Sequence, residues 1–140
     1  MTNQKVLLDC CTIIAAKDGR PDAIAFQRKL SRRKDLELLV PDLVVKEVSR
    51  VARIPIEEAE RLARSFSSGT IERLTDDESI AREASELYQR YLSCHYPDSH
   101  YLVHCRNTTA VLVTYDKKLR EVARMEGIMT CSPGNYRFYQ

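Results

Sequence analysis

The chain has 140 residues, enough for one ordinary domain with a single well-buried core, so one domain over 1–140 is expected. Its 44% hydrophobic and 30% charged residues describe a soluble globular protein rather than a disordered one, and a net charge of +2 points by itself to neither nucleic acid nor membrane. No apolar run approaches the roughly 20 residues of a membrane helix, and Asp9 interrupts the first apolar run too early for a signal peptide. A cytoplasmic protein is therefore expected.

Five cysteines, two of them adjacent at Cys10 and Cys11, make a poor disulfide framework and read as reduced thiols. Val6 to Asp9 is a short apolar strand that stops on a carboxylate, and an all-apolar run fits a strand buried on both faces of a parallel sheet. Ligands of open α/β sheets bind beyond the carboxyl ends of such strands, which places Asp9 where chemistry is usually done. A short apolar segment to Ala16 follows, then a break at Asp18-Gly19-Arg20. Pro21 suits the first turn of a helix running to about Lys34, with Ile24, Ala25 and Leu30 as its apolar stripe. Arg28, Lys29, Arg32, Arg33 and Lys34 form the polar side of that helix. They read either as a track for a nucleic-acid backbone or as an ordinary solvated face.

Leu36 to Val40 is a second apolar strand, and Pro41 opens a helix whose Val44, Val45, Val48 and Val51 cluster on one face. Glu47 lies at the rim of that face, where a carboxylate can reach the sheet edge. Pro55 starts another helix, with Glu57, Glu58 and Glu60 near its first turn and Ile56, Ala59, Leu62, Ala63 and Phe66 inward. Thr70 to Leu74 alternates as an edge strand. Thr75 and Glu78 fit a capping box for a helix with Ile80, Ala84, Leu87, Tyr88 and Tyr91 inward. Pro97-Asp98 begins a helix to about Asn107, and Ala110 to Thr114 is a strand that leads to Tyr115-Asp116. A helix around Leu119, Val122 and Ala123 is closed by Gly127, and Ile128 to Cys131 is a last short strand. Strands alternating with helices predict one α/β domain with a parallel sheet.

Two strands thus end in aspartate at the same sheet edge, and neighbouring strands lie about 4.8 Å apart. Carboxylates that close repel unless a cation lies between them. Asp98 and Glu47 can complete a cluster of four, and an all-oxygen set suits Mg²⁺ or Mn²⁺. Such an ion can activate water and neutralise charge developing on a phosphoryl group. Singly, each acid reads more readily as a turn or cap residue, and the metal reading rests on their combination.

The sequence resembles the PIN-domain ribonucleases, which include the toxins of VapBC-type toxin–antitoxin pairs. The resemblance rests on VLLDCCTII around Asp9, VPDLVVKEV giving Glu47, Asp98 eighteen residues before Asp116, and LVTYD from Leu112 to Asp116. It implies a three-layer PIN-like α/β domain with a parallel five-stranded sheet in order 3-2-1-4-5. It also implies an endoribonuclease in which Asp9, Glu47, Asp98 and Asp116 bind one or two Mg²⁺ or Mn²⁺ ions. Thr114 matches the family's hydroxyl before the last aspartate, where it orients a carboxylate or a metal-bound water. A homodimer, an antitoxin partner and an RNA substrate are expected on the same grounds. Two departures stand out. Cys10 and Cys11 replace the small hydroxyl residues often found after the first aspartate. The helix after Asp98, usually rich in small residues, carries Tyr101, His104 and Cys105.

Other chemistries fit less well. A haloacid-dehalogenase-like phosphatase needs Asp-x-Asp, and Cys11 holds the second position; a receiver domain needs an acidic pair after strand one. Cys94, His95, His100, His104 and Cys105 are zinc-type ligands close together, with His100 and His104 on one helix face turned away from Asp98. Tyr136, Phe138 and Tyr139 could stack on bases or pack the tail and a subunit contact. The alternative of a different class is a catalytically silent PIN-fold module for RNA binding or protein assembly.

Overall fold

A computed structural model describes residues 4–137. It is a three-layer α/β fold with a five-stranded, all-parallel sheet in the order β3-β2-β1-β4-β5, as the resemblance implies. The strands are β1 (Gln4–Leu8), β2 (Leu36–Pro41), β3 (Thr70–Leu74), β4 (Val111–Val113) and β5 (Thr130–Cys131). Between them run α1 (Cys10–Lys17), α2 (Pro21–Ser31), α3 (Asp42–Ala52), α4 (Ile56–Arg64), α5 (Glu78–Arg90), α6 (Asp98–Thr108) and α7 (Lys117–Met125).

The sheet centre follows from apolarity. Val6, Leu7 and Leu8 of β1 pair with Val111, Leu112 and Val113 of β4, and all six are buried. Helices cover both faces, which is why these strands show no alternation. β3 at the edge alternates and is largely exposed. Gly69 ahead of β3 is required by close approach, since a Cβ there would meet the Leu36 carbonyl oxygen at 2.7 Å and that of Lys34 at 2.8 Å.

Several local expectations are corrected. The segment after Asp9 is a helix, because Asp9 accepts from the Thr12 amide and caps it. α2 buries Ala23, Phe26 and Leu30, while Ile24 is half-buried and Ala25 exposed. The true stripe follows i, i+3, i+7 through the large Phe26 ring, which packs on Phe66 and Tyr136. Val51 is 50% exposed although it is in phase with the buried Val44 and Val48. Ile56 and Tyr88 are exposed too. Asp77, not Thr75, caps α5 by accepting from the Ile80 amide, so the capping box does not form. Tyr136 is buried against Phe26 rather than offered to a base, and Phe138 and Tyr139 lie outside the described residues.

Candidate active site

The parallel sheet brings the carboxyl ends of all strands to one edge, where Asp9 follows β1 directly and Asp116 follows β4 after Thr114 and Tyr115. Each caps the helix that follows: Asp9 Oδ1 accepts from the Thr12 amide at 3.1 Å, and Asp116 Oδ1 from the Leu119 amide at 3.1 Å. A helix N-terminus favours a carboxylate, so turn geometry alone would place both acids here.

Asp9 is 3% exposed and is held at both oxygens. Thr12 Oγ1 donates to its Oδ1 at 2.9 Å, and Thr114 Oγ1 donates to its Oδ2 at 2.5 Å. Burial pushes its carboxyl up to about 6, despite the opposing pull of the Thr114 and Thr12 donors and with a smaller push from Glu47. Asp98 opens α6 and has no hydrogen-bond partner among the described residues. Burial first, then the charges of Asp9, Glu47 and Asp116, lift its carboxyl to about 7. Asp98 thus feels the charges of the other three acids, and Asp9 that of Glu47.

Glu47, from the middle turn of α3, is half-buried. Its Oε1 accepts from the Tyr101 hydroxyl at 3.0 Å, and its Oε2 lies 3.9 Å from the Arg50 guanidinium. Burial and then Glu47 hold the Tyr101 phenol well above its ordinary value, which keeps it a donor. Cys11 sits at the mouth of the cluster. Burial, followed by Asp9, Glu47, Asp98 and Asp116 in turn, pushes its thiol up to about 11. Cys94, raised to about 12 by burial and then by Asp98 and Asp116, borders the same acids.

Sequence reasoning missed Thr12. The hydroxyls absent at Cys10 and Cys11 are supplied by the next residue: Thr12 Oγ1 donates to Asp9 and lies 3.2 Å from the Val113 carbonyl oxygen, with which it can hydrogen-bond only in place of Asp9. The available signal was that an N-cap aspartate accepts from the amide of the residue three positions on, which in this sequence is Thr12. Arg120 was missed as well; its guanidinium donates to the Thr114 carbonyl at 2.7 Å and braces the chain between Thr114 and Asp116.

The zinc alternative disperses. His104 Nε2 lies 2.7 Å from Asp76 Oδ1 and His100 Nδ1 3.4 Å from the same oxygen, so both imidazoles turn to Asp76. Cys94 and Cys105 are buried separately, and exposed His95 lies beside the Tyr88 ring. Among the described residues, no three His, Cys, Asp or Glu side chains stand close enough around one point to hold an ion as they are. The fit of the acids to a cation rests instead on their donor chemistry. All are hard oxygens, and Asp98 carries an unrelieved repulsion that a divalent ion would remove.

The sequence pattern of the PIN domain matches residues 6–125, and the chain belongs to that family. Solved structures share its fold. VapBC2 from Rickettsia felis, bound to a DNA fragment from their promoter, is 16% identical with a TM-score of 0.66, covering 92% of this chain and 98% of that one. VapBC-1 from nontypeable Haemophilus influenzae is 17% identical with a TM-score of 0.65, over 93% and 98%. A toxin–antitoxin complex from Klebsiella pneumoniae is 20% identical with a TM-score of 0.64, over 95% and 99%. No curated protein matches the chain in sequence. PIN domains are generally nucleases, and they typically use divalent metals.

Proposed function

We propose that the chain is a divalent-metal-dependent endoribonuclease hydrolysing RNA phosphodiester bonds. The observation that carries this reading is that the neighbouring strands β1 and β4 run out at one sheet edge towards Asp9 and Asp116, with Asp98 near enough for the charges of Asp9, Glu47 and Asp116 to raise its carboxyl. Asp9, Glu47, Asp98 and Asp116 would hold one or two Mg²⁺ or Mn²⁺ ions. Such an ion, when bound, lowers the pKa of a coordinated water and offsets charge on a phosphoryl group. The chain's own residues prepare the acids. Thr114 and Thr12 fix the Asp9 carboxylate, the Leu119 amide fixes Asp116, and Tyr101 fixes Glu47. Asp98, with no hydrogen-bond partner among the described residues, retains a proton most readily when no cation is near. No side chain is assigned as nucleophile.

Exposed Lys46 and Arg50 near Glu47, and Lys117 and Lys118 after Asp116, are available to phosphates of a strand crossing the acids. The presence of toxin–antitoxin complexes among proteins of this fold supports a toxin role with an antitoxin partner, and a homodimer is proposed alongside it. Among the described residues no helix is long and apolar enough to cross a membrane, and the working location proposed is the cytoplasm.

The test is incubation of purified protein with single-stranded RNA plus Mg²⁺, Mn²⁺ or EDTA. Cleavage should need the metal and vanish in Asp9→Asn and Asp116→Asn. Cleavage that survives EDTA or either substitution sinks the mechanism. No cleavage of any RNA, with no metal in a soaked crystal, returns the fold to the binding-module reading.

A further inference from the structure

The acids do not offer their oxygens equally. Asp9 has both oxygens engaged, Asp116 has Oδ1 on the Leu119 amide, and Glu47 has Oε1 on the Tyr101 hydroxyl. The Glu47 restraint is the least expected. Capping geometry accounts for Asp9 and Asp116, whereas the Tyr101 bond joins residues 54 positions apart. Tyr101 is fully buried on α6, one helical turn after Asp98, so the helix that carries one acid also fixes another. A buried ring on a packed helix is a rigid support, unlike the exposed Arg50 that stands 3.9 Å from the other oxygen.

We propose that Tyr101 is a positioning residue that makes Glu47 a one-oxygen ligand, biasing the acidic site towards Mg²⁺ or Mn²⁺ and against Ca²⁺. The inference rests on the metal-binding reading of the four acids. Ca²⁺ takes 6–8 oxygens and commonly gathers them through carboxylates that give both atoms, whereas Mg²⁺ demands six in near-octahedral array and keeps several waters. A glutamate with one oxygen committed to a phenol is a poorer partner for the larger ion. The ordinary alternative is that Tyr101 merely packs and its hydroxyl takes the nearest acceptor.

The two readings part in Tyr101→Phe, which keeps the ring and removes only the donor. Binding of Mn²⁺ and of Ca²⁺ to the intact chain is measured by calorimetry for the wild type, Tyr101→Phe, Glu47→Gln and the double variant, with thermal melts confirming folding. Loss of a group that orients a metal ligand typically costs 10–100-fold in affinity. Mn²⁺ binding should therefore weaken about tenfold in Tyr101→Phe. Ca²⁺ binding should hold or tighten, and in the Glu47→Gln background the substitution should change neither. An unmoved Mn²⁺-to-Ca²⁺ ratio, or an equal change in the Glu47→Gln background, overturns the proposal and leaves the nuclease reading standing. A wild type that binds neither ion overturns both.

Discussion

The hydroxyl of Thr114 reaches across the β1–β4 pair to Asp9 Oδ2, 105 residues away in sequence, at 2.5 Å. The same hydroxyl oxygen accepts from the Asp116 amide at 3.0 Å, so one side chain links the two strand-end acids. Thr114, the residue that follows β4, thereby holds the first aspartate in place.

Thr114→Val should lower kcat/KM on RNA by 10–100-fold, the usual cost of losing a group that orients a metal ligand. It should also destabilise the fold by about 1–3 kcal/mol, because a buried carboxylate oxygen loses its donor. Thr114→Ser, which keeps the hydroxyl, should retain most activity. Steady-state kinetics of the pair, with urea melts alongside, decide it; equal losses in both variants would show that the methyl, not the hydroxyl, matters.

Thr12→Val should cost less at Asp9 than Thr114→Val. Oδ1 would still accept from the amide of residue 12, whereas Oδ2 has no second donor among the described residues. Ranking the two valine variants by kcat/KM checks the order, and a Thr12 variant worse than the Thr114 variant would contradict it. Cys10→Ser and Cys11→Ser should bring little gain, since Thr12 already supplies the hydroxyl.

Asp98 gives a stability test that needs no RNA. Its carboxyl rises from 3.8 to about 7 in the metal-free fold, through burial and then the other acids. A raised folded value means that stability present below pH 3.8 is lost as pH climbs through 7. Asp98→Asn should therefore stabilise the metal-free protein by on the order of 2–4 kcal/mol at pH 8, with the gain shrinking towards nothing near pH 4. Mn²⁺ should raise the wild-type melting temperature and raise that of Asp98→Asn less. Thermal melts across pH with and without Mn²⁺ read both effects, and a gain independent of pH would refute the electrostatic cause.

What the sequence reveals and hides follows one physical line. Apolar runs ending in Asp9 and Asp116 mark the sheet centre, because a strand buried on both faces tolerates no polar residue until it leaves the sheet. The LVTYD run carries the Thr114 hydroxyl that donates to Asp9. Periodicity gives the phase of Val51 on α3 but not how much of that face is covered along the helix, and Val51 stands exposed while Val44 and Val48 are buried. In α2 the period was right in kind and wrong in phase, since Ala23 and Phe26 rather than Ile24 and Ala25 face inward. The Tyr101–Glu47 and Asp76–histidine bonds had no local signature, for each joins residues that only packing brings together.

Asp76 supplies the last prediction. Its Oδ1 lies 2.7 Å from His104 Nε2 and 3.4 Å from His100 Nδ1, and its Oδ2 accepts from the Leu43 amide at 3.2 Å. One buried carboxylate thus ties the start of α3, which carries Glu47, to α6, which carries Asp98. Burial opposes its charge, but the hydrogen bond and charge of His104, with the Leu43 amide and His100, hold its carboxyl below the usual range. A lowered value contributes stability above the unfolded value of 3.8 that fades as pH falls below it. Asp76→Ala should thus cost about 2–4 kcal/mol at pH 7, leaving the buried His104 imidazole and the Leu43 amide without their acceptor. The penalty should shrink at pH 3.5, where the wild-type carboxylate begins to take up its proton. Urea melts at the two pH values measure the difference, and Mn²⁺ affinity should fall with it because Glu47 and Asp98 lose their common anchor. A variant that melts like the wild type at pH 7 would show that α3 and α6 are held together by apolar packing alone.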